Sequence, residues 1–373
     1  MRKQSLRQPD SIPRTIGIVG AGQLGRMLAL SGYPLGLKFI FLDKSADAPG
    51  GQIGDILLGE FTDADKIAQL AAQVDVLTYD VENVPVAALS RLPKDKPFLP
   101  PVAALAAGQD RLSEKTLFRE LKIPTPEFRA IESMPDLEEA IQKIGYPAVL
   151  KTRRLGYDGR GQRFIRSPAE LGSAYNALAG VPLILEQFIA FEREVSVIGV
   201  RNHLGDTAFY PLSENRHRDG ILRLSIAPYP DKKLQSQAQR YAKRIMQHFD
   251  YTGILTIEFF VRKGKLIANE TAPRVHNSGH WTIEGAVTSQ FENHIRGILG
   301  LPLGDTSPVG YSAMVNFIGE MPPLAEVLKI PGAHYHDYGK DARPDRKLGH
   351  ATLVCKTRKE LLARLDRFPG LVP

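Results

Sequence analysis

The stretch Ile16-Gly-Ile-Val-Gly-Ala-Gly-Gln-Leu-Gly25 limits the fold more than any other part of the chain. An apolar strand over 16–19 runs into a G-x-G-x-x-G turn at Gly20, Gly22 and Gly25, and a helical pattern follows over 24–31. A second strand over 38–42 ends beside Asp43. Strand, glycine turn, helix, strand and acid in this order form the dinucleotide-binding fingerprint. In that fingerprint the turn lets the backbone approach a pyrophosphate at a helix N-terminus, and the acid holds a ribose. The pattern leaves NAD and other phosphate-bearing ligands open, because a helix N-terminus attracts any phosphate.

The alternation continues. Strands are expected over 55–58 and 74–79, with a helix over 63–73 opened by Thr62 and Asp65 as a capping pair. Such βαβα order predicts a parallel sheet covered on both faces. Its ligands sit beyond the carboxyl ends of the strands, where the glycine turn and the Glu82-Asn83-Val84-Pro85 loop both fall. A helix over 110–122 leads into the stiff connection Ile123-Pro124-Thr125-Pro126. Beyond it, strands over 147–152 and 163–166 flank a glycine-rich turn. Ser167-Pro168-Ala169-Glu170 then reads as a helix start with an N-cap, a first-turn proline and a capping box. Strand-like runs LILEQFI, REVSVIGV and GILTIEFFV follow, with a helix over 234–248 among them.

A chain of 373 residues exceeds one ordinary domain, and 43% apolar with 24% charged residues suits a globular protein. Cys355 is the only cysteine, so no disulfide forms within the chain and a reducing compartment is expected. Residues 1–15 are polar and basic, which fits a flexible tail rather than a signal peptide. No stretch approaches the roughly 18–20 apolar residues of a membrane span. A soluble cytoplasmic protein without membrane contact is expected. The net charge of +7 raises the question of nucleic acid. The basic residues are scattered, however, and no zinc-finger or RRM pattern occurs, so small anionic ligands are expected instead.

Three segments concentrate chemistry. Lys151-Thr-Arg-Arg-Leu-Gly-Tyr-Asp-Gly-Arg-Gly-Gln162 sets glycines at 156, 159 and 161 among cations at 151, 153, 154 and 160. Free backbone N–H groups amid positive charge make an anion cradle, and a loop between two strands can fold over a polyphosphate. No G-x-x-x-x-G-K-[ST] loop occurs. In ILTIEFFVRKGKLIANETAPR, two strands surround a turn at Lys263-Gly264-Lys265. A three-residue loop pairs Arg262 with Leu266 and sets Glu258 opposite Glu270; a four-residue loop sets Asn269 there instead. Carboxylates and an amide oxygen clustered on strand ends suit Mg²⁺. Ala272-Pro-Arg-Val-His-Asn-Ser-Gly-His-Trp281 then packs Arg274, His276, Asn277, Ser278 and His280 into one loop, as an oxyanion pocket requires. Zinc at His276 and His280 would need a helix that Pro273 and Gly279 oppose. His217-Arg218-Asp219 lacks the asparagine that would complete a kinase catalytic loop.

Taken together, GAGQLGRML, YDVENVP, DRLSEKTLFRELKIPTP, KTRRLGYDGRGQ, EREVSVIGVR, ENRHRDGIL, NETAPRVHNSGHWTIEG and RPDRKLGH resemble the ATP-grasp carboxylate–amine ligases. The resemblance spans nearly the whole chain, and is strongest to the branch that carboxylates aminoimidazole ribonucleotide in purine biosynthesis. Two positions depart from that branch, Leu155 where glycine is usual and Asp80 where glutamate is common. The resemblance implies an α/β ATP-grasp architecture: a Rossmann-like preATP-grasp domain over 16–109, a small α+β lid over 110–185, and a C-terminal α+β domain over 186–373 with a subdomain from about 305. It implies ATP and Mg²⁺, with aminoimidazole ribonucleotide and bicarbonate as the other substrates, and a homodimer.

The same resemblance implies roles. Arg111, Lys151, His217 and the flap residues Gly156, Tyr157, Asp158, Gly159, Arg160, Gly161 and Gln162 would meet ATP, with Glu186, Gln187, Phe188, Ile189 and Glu194 around adenine and ribose. Glu258 and Glu270 would bind Mg²⁺ beside Asn269. Arg274, His276 and Asn277 would grip bicarbonate and its phosphorylated form. Gln23, Leu24, Glu82, Tyr157, Asp158, Arg343, Arg346 and Lys347 would face the ribonucleotide. Rival readings are a ligase that activates another small acid, such as formate-dependent glycinamide ribonucleotide transformylase; an NAD-dependent oxidoreductase; and a nucleotide-binding regulatory module.

Overall fold

A computed structural model describes residues 14–156 and 161–368. Tyr157, Asp158, Gly159, Arg160 and most of the N-terminal tail lie outside these residues. Among the described residues the strands form three sheets. The first is parallel, in the spatial order Asp55–Leu58, Lys38–Asp43, Thr15–Val19, Val76–Tyr79. Thr15–Val19 and Val76–Tyr79 are almost wholly buried, as a sheet covered on both faces requires. The helix Gln23–Gly32 follows the glycine turn. Gly20 has φ +99°, and a Cβ there would lie 1.7 Å from Asp80 Oδ1, so only glycine fits this turn. The helix Ala64–Gln73 is capped by Asp63, whose side chain accepts from the N–H groups of Asp65 and Lys66; Thr62 does not cap it. A carboxylate aimed at two free N–H groups outcompetes the hydroxyl one residue earlier.

The second sheet is small and antiparallel, ordered Phe128–Ile131, Leu183–Gln187, Ala148–Thr152, Gln162–Ile165. The expected helix start at Ser167 is present as a single 3-10 turn, Pro168–Glu170, that runs into the helix Leu171–Leu178. Ser167 makes no side-chain cap; Glu170 instead accepts from Arg166 N at 3.0 Å. Leu155, at the base of the flap, holds φ +60° and is 74% exposed. The branched residue therefore occupies a left-handed conformation that glycine adopts at no cost.

The third sheet has nine strands and carries most of the site. Its hairpin, Gly253–Arg262 with Lys265–Ala272, turns in two residues rather than three or four. Arg262 pairs with Lys265, not Leu266, and both turn residues, Lys263 and Gly264, have positive φ. A register shift between Glu258 and Phe259 then absorbs Asn269, and Glu258 still faces Glu270. A tighter turn and a bulge together reproduce the pairing of the longer loop. The C-terminal strands Tyr311–Ile318, Lys347–Cys355 and Ala333–Asp337 extend this same sheet beyond Ile221–Ala227 rather than forming one of their own.

One continuous core joins the N-terminal unit to this sheet, running from Ile16, Met27 and Phe41 through Val200 and Ile254 to Trp281, Phe291 and Tyr338. His294 fastens the same junction. Ile254 N donates to its Nδ1, so Nε2 carries the proton and donates to Thr78 Oγ1 at 2.9 Å. No helix among the described residues is long and apolar enough to cross a membrane. Burial holds the His294 ring neutral, with a pKa of about 3. Thr78→Val therefore leaves a buried N–H without an acceptor, and urea denaturation should show a loss of about 1–3 kcal/mol with an unchanged m-value.

Candidate active site

At the glycine turn the protein uses several of its own N–H groups. Ala21 N donates to Asp43 Oδ2 at 2.8 Å and Gly25 N to Asp80 Oδ2 at 3.0 Å. Asp43 Oδ1 accepts from Ser45 N, so each oxygen of the fingerprint acid already holds one backbone bond. Gln23 and Leu24 open the helix, and the first N–H groups of a helix have no partner within it. Burial lifts the Asp80 carboxyl to about 6, against the bond from Gly25 and with help from Asp43.

Sequence reasoning missed Lys340, which arrives from the C-terminal region and donates to Gln23 Oε1. Burial and the neighbouring Arg346 lower its ammonium to about 8, although Asp80 and Asp43 oppose this. Its loop is fastened by Arg26, which donates to Asp337 O, and by close packing of Gly339 on Gln52. A signal existed in Tyr338-Gly339-Lys340 just ahead of the RPDRK segment. Lys347 acts electrostatically on Glu258 and His276, so it too is inside the site. Arg346 lies close to Lys340, whereas Arg343 is exposed and meets Arg346 N only through its carbonyl.

The lid contributes Lys151, whose Nζ lies 2.9 Å from Glu186 Oε2. Lys115, 1% exposed and also absent from the expected set, lies 3.6 Å from the same oxygen and donates to Asn269 O at the bulge. Burial alone would protonate Glu186, but Lys115 and Lys151 outweigh it and hold the carboxyl at about 2. Glu186 Oε2 is therefore a counter-ion for two ammoniums, while its buried Oε1 has no hydrogen-bond partner. Gln187 N and Phe188 N bond to Glu127 O and Pro147 O, and Ile189 is buried beside them. Arg111 donates to Thr152 O and Gly156 O, while Thr152 N donates to Gly161 O; together they tie the flap base, where Gln162 pairs with Lys151.

Glu258 and Glu270 face each other on adjacent strands, with Cβ atoms about 4.5–5.5 Å apart by sheet geometry. Glu258 is 9% exposed and its Oε1 has no hydrogen-bond partner; Glu270 is exposed. Burial pushes Glu258 up to about 7, with His217 opposing and Glu270 adding. An orphaned buried oxygen beside a second carboxylate fits a hard divalent cation that completes its shell with phosphate oxygens and water. His217 Nδ1 lies 2.8 Å from Glu194 Oε2. Burial disfavours its charge, yet the bond to Glu194 and the field of Glu258 win and raise it to about 9.

The loop after the hairpin is held from beneath, where Tyr79 OH donates to Pro273 O at 2.9 Å. Arg274 Nε stands 3.2 Å from Glu82 Oε1, and its NH1 donates to Val275 O. His276 Nδ1 lies 2.9 Å from Ser278 Oγ and 3.8 Å from Glu258 Oε1; burial and the Arg274 cation keep the ring neutral. Asn277 and Asn316 exchange reciprocal amide bonds at 3.0 and 2.6 Å. The carbonyl and one N–H of Asn277 are thus committed to Asn316, and a single N–H remains for an anion. Asn277–Gly279 is a 3-10 turn, and His280 faces Gln290, so the paired-histidine zinc geometry does not form.

His217 also gives a pH test. Its folded pKa of about 9 exceeds the unfolded value of about 6.5, so its contribution is complete below pH 6.5 and is lost as pH rises through 9. The gap in unfolding free energy between wild type and His217→Gln should be widest near about pH 6 and close by about pH 10.

The comparisons with known proteins agree with this geometry. Residues 14–109 match the ribonucleotide synthetase preATP-grasp domain, 116–291 the ATP-grasp domain, and 312–364 the phosphoribosylaminoimidazole carboxylase C-terminal domain. The N5-carboxyaminoimidazole ribonucleotide synthase of Pseudomonas aeruginosa is 49% identical over 96% of this chain and 99% of its own. The crystal structure of the Thermus thermophilus synthetase superposes with a TM-score of 0.91 at 55% identity, covering 96% of this chain and 99% of that one. The Aspergillus clavatus synthase, solved with ADP and 5-aminoimidazole ribonucleotide, superposes with a TM-score of 0.88 at 31% identity, covering 95% and 98%. A parallel sheet with a phosphate-binding turn, a cationic lid and opposed carboxylates, matched over this length at this identity, leads to one assignment: the chain belongs to the N5-carboxyaminoimidazole ribonucleotide synthase family of ATP-grasp ligases.

Proposed function

We propose that this chain carboxylates 5-aminoimidazole ribonucleotide with bicarbonate at the expense of ATP, releasing ADP and phosphate. The observation that supports the reading is that Lys151, the Glu258/Glu270 pair, Arg274 and Asp80 at the glycine turn lie within one network of mutually interacting charges. Glu270 is close enough to influence Glu82, Glu114, Lys115, His217 and Glu258. Bicarbonate is a poor electrophile, so one of its oxygens first takes the γ-phosphoryl group to give carboxyphosphate and ADP. The exocyclic amine then attacks the activated carbon; phosphate leaves and the nitrogen loses a proton. Phosphoryl transfer of this kind depends on positioning and charge stabilisation.

On this reading Lys151 and Arg111 orient the nucleotide from the lid side, and His217 with Glu194 does so from the large sheet. Glu258 and Glu270 hold Mg²⁺, which when bound offsets charge on the phosphate oxygens. Arg274, His276 and the remaining N–H of Asn277 face bicarbonate. The N–H groups of Gln23 and Leu24, with Lys340, Arg346 and Lys347, receive the ribonucleotide phosphate. Closing the lid keeps water from carboxyphosphate. The three-part division at 16–109, 110–185 and 186–373, the homodimer and the cytoplasmic location belong to the same proposal.

A coupled ADP assay tests the reaction, with bicarbonate, formate and aminoimidazole ribonucleotide supplied or omitted in turn. ADP release should require bicarbonate and aminoimidazole ribonucleotide together; formate dependence would reject the reading. Glu270→Gln should abolish Mg²⁺-dependent turnover while circular dichroism stays native. Lys340→Met should raise the KM for the ribonucleotide roughly 10–100-fold, as loss of one charged hydrogen bond implies, with the KM for ATP unchanged.

A further inference from the structure

Beneath His276 lies a layer of small polar side chains that no step of the reaction touches. Ser278 Oγ is 2.9 Å from His276 Nδ1, Ser196 Oγ is 2.7 Å from Ser278 Oγ, and Ser213 Oγ is 2.8 Å from Ser196 Oγ. Asn215 Nδ2 donates to Ser196 Oγ at 3.1 Å, and Ser225 Oγ donates to Asn215 Oδ1 at 2.8 Å. None of these five side chains is more than 4% exposed. They come from three strands of the large sheet and from the catalytic loop. Hydroxyls buried this deeply must satisfy one another, so the direction of each bond is set by counting donors.

The count starts at the backbone. Ser278 N donates to His276 Nδ1 at 3.3 Å, so Nδ1 is an acceptor and carries no proton. The Ser278 hydroxyl hydrogen therefore also points to Nδ1. Ser278 Oγ then accepts from Ser196, and Ser196 accepts from both Asn215 and Ser213. Every hydroxyl donates once and accepts no more than twice, and the Asn215 carbonyl only accepts, so the file closes without conflict. A competing arrangement lies close at hand: Glu258 Oε1 is 3.8 Å from Nδ1 and has no hydrogen-bond partner. It would accept from Nδ1 if the proton moved there, and Nε2 would become an acceptor that repels an anion.

We propose that the buried file Ser213–Ser196–Ser278 locks His276 in the tautomer protonated on Nε2, making it a fixed hydrogen-bond donor to bicarbonate-derived oxygens rather than a base. This rests on the function proposed above. The serines are positioning residues: they act through the ring and touch no substrate. A ring held ready as a donor needs no reorganisation when charge develops on the oxygen, which is how preorganised donors accelerate acyl and phosphoryl chemistry.

The experiment is long-range ¹H–¹⁵N correlation NMR on protein labelled at histidine, with the His276 signals assigned by their loss in His276→Gln. Wild type should show an unprotonated Nδ1 and a protonated Nε2. Ser278→Ala keeps the longer backbone bond to Nδ1 but removes the hydroxyl donor, so part of the population should shift to the Nδ1-protonated form, with kcat lowered about tenfold and the KM for ATP within about twofold. Ser196→Ala, one step further away, should shift the ring in the same direction by less, and it replaces Ser278→Ala should that variant not fold. Ser225→Ala, an equal deletion in the same layer, should leave both tautomer and kcat as they were. A wild-type ring protonated at Nδ1, or a tautomer unmoved in Ser278→Ala and Ser196→Ala, would overturn the proposal. The NMR result needs no substrate, so failure of the functional reading appears separately, in the ADP assay.

Discussion

Two glutamates facing each other across a hairpin, one of them buried, are the constraint on which the rest of this protein depends. Like charges at that separation destabilise a strand pair, and a buried carboxylate without a partner costs more still. The arrangement persists because the surrounding residues reduce its charge. Glu258 is drawn towards the neutral acid by burial, His217 remains cationic beside it, and Lys115 pins the bulged Asn269 from below. A divalent cation between the two carboxylates would relieve that cost.

The same principle recurs around the cleft. Each of three cations that would meet substrate has a carboxylate partner already: Lys151 with Glu186, His217 with Glu194, Arg274 with Glu82. Arg153 and Arg154 share Asp110, which also caps the helix Arg111–Glu120 at the base of the flap. Binding then becomes an exchange of partners rather than the burial of bare charge. Paired cations keep their geometry, so substrate meets oriented groups, and the desolvation cost has been met during folding. The Glu82–Arg274 pair also links the parallel sheet to the anion loop, and Tyr79 with Pro273 repeats that link a few residues away.

Much of this was legible in the residues. The glycine turn and the APRVHNSGHW loop are local, because backbone freedom and side-chain chemistry sit within a few positions of one another. The Glu258–Glu270 pairing was legible too, though the route differed: a two-residue turn plus a bulge took the place of a longer loop. Other features were hidden because they depend on distant segments. Lys340 meets Gln23 across 317 positions, and Lys115 meets Asn269 across 154. Asn277 carries an amide suited to an anion, yet Asn316, on a separate strand, claims most of its hydrogen-bonding capacity. The two lysines that share Glu186 Oε2 were likewise invisible, since Lys115 and Lys151 reach it from separate segments.

Periodicity and glycine placement determined the element types, the parallel opening sheet and the regions where phosphate and metal chemistry would lie, since backbone geometry is governed by near neighbours. Tertiary structure alone decided protonation, hydrogen-bond direction and partner choice. It engaged Asp43 with two backbone N–H groups, neutralised His276 and set its tautomer, and joined the C-terminal strands to the large sheet. Those outcomes depend on burial and on charges brought within a few ångströms by folding, and a linear chain carries neither.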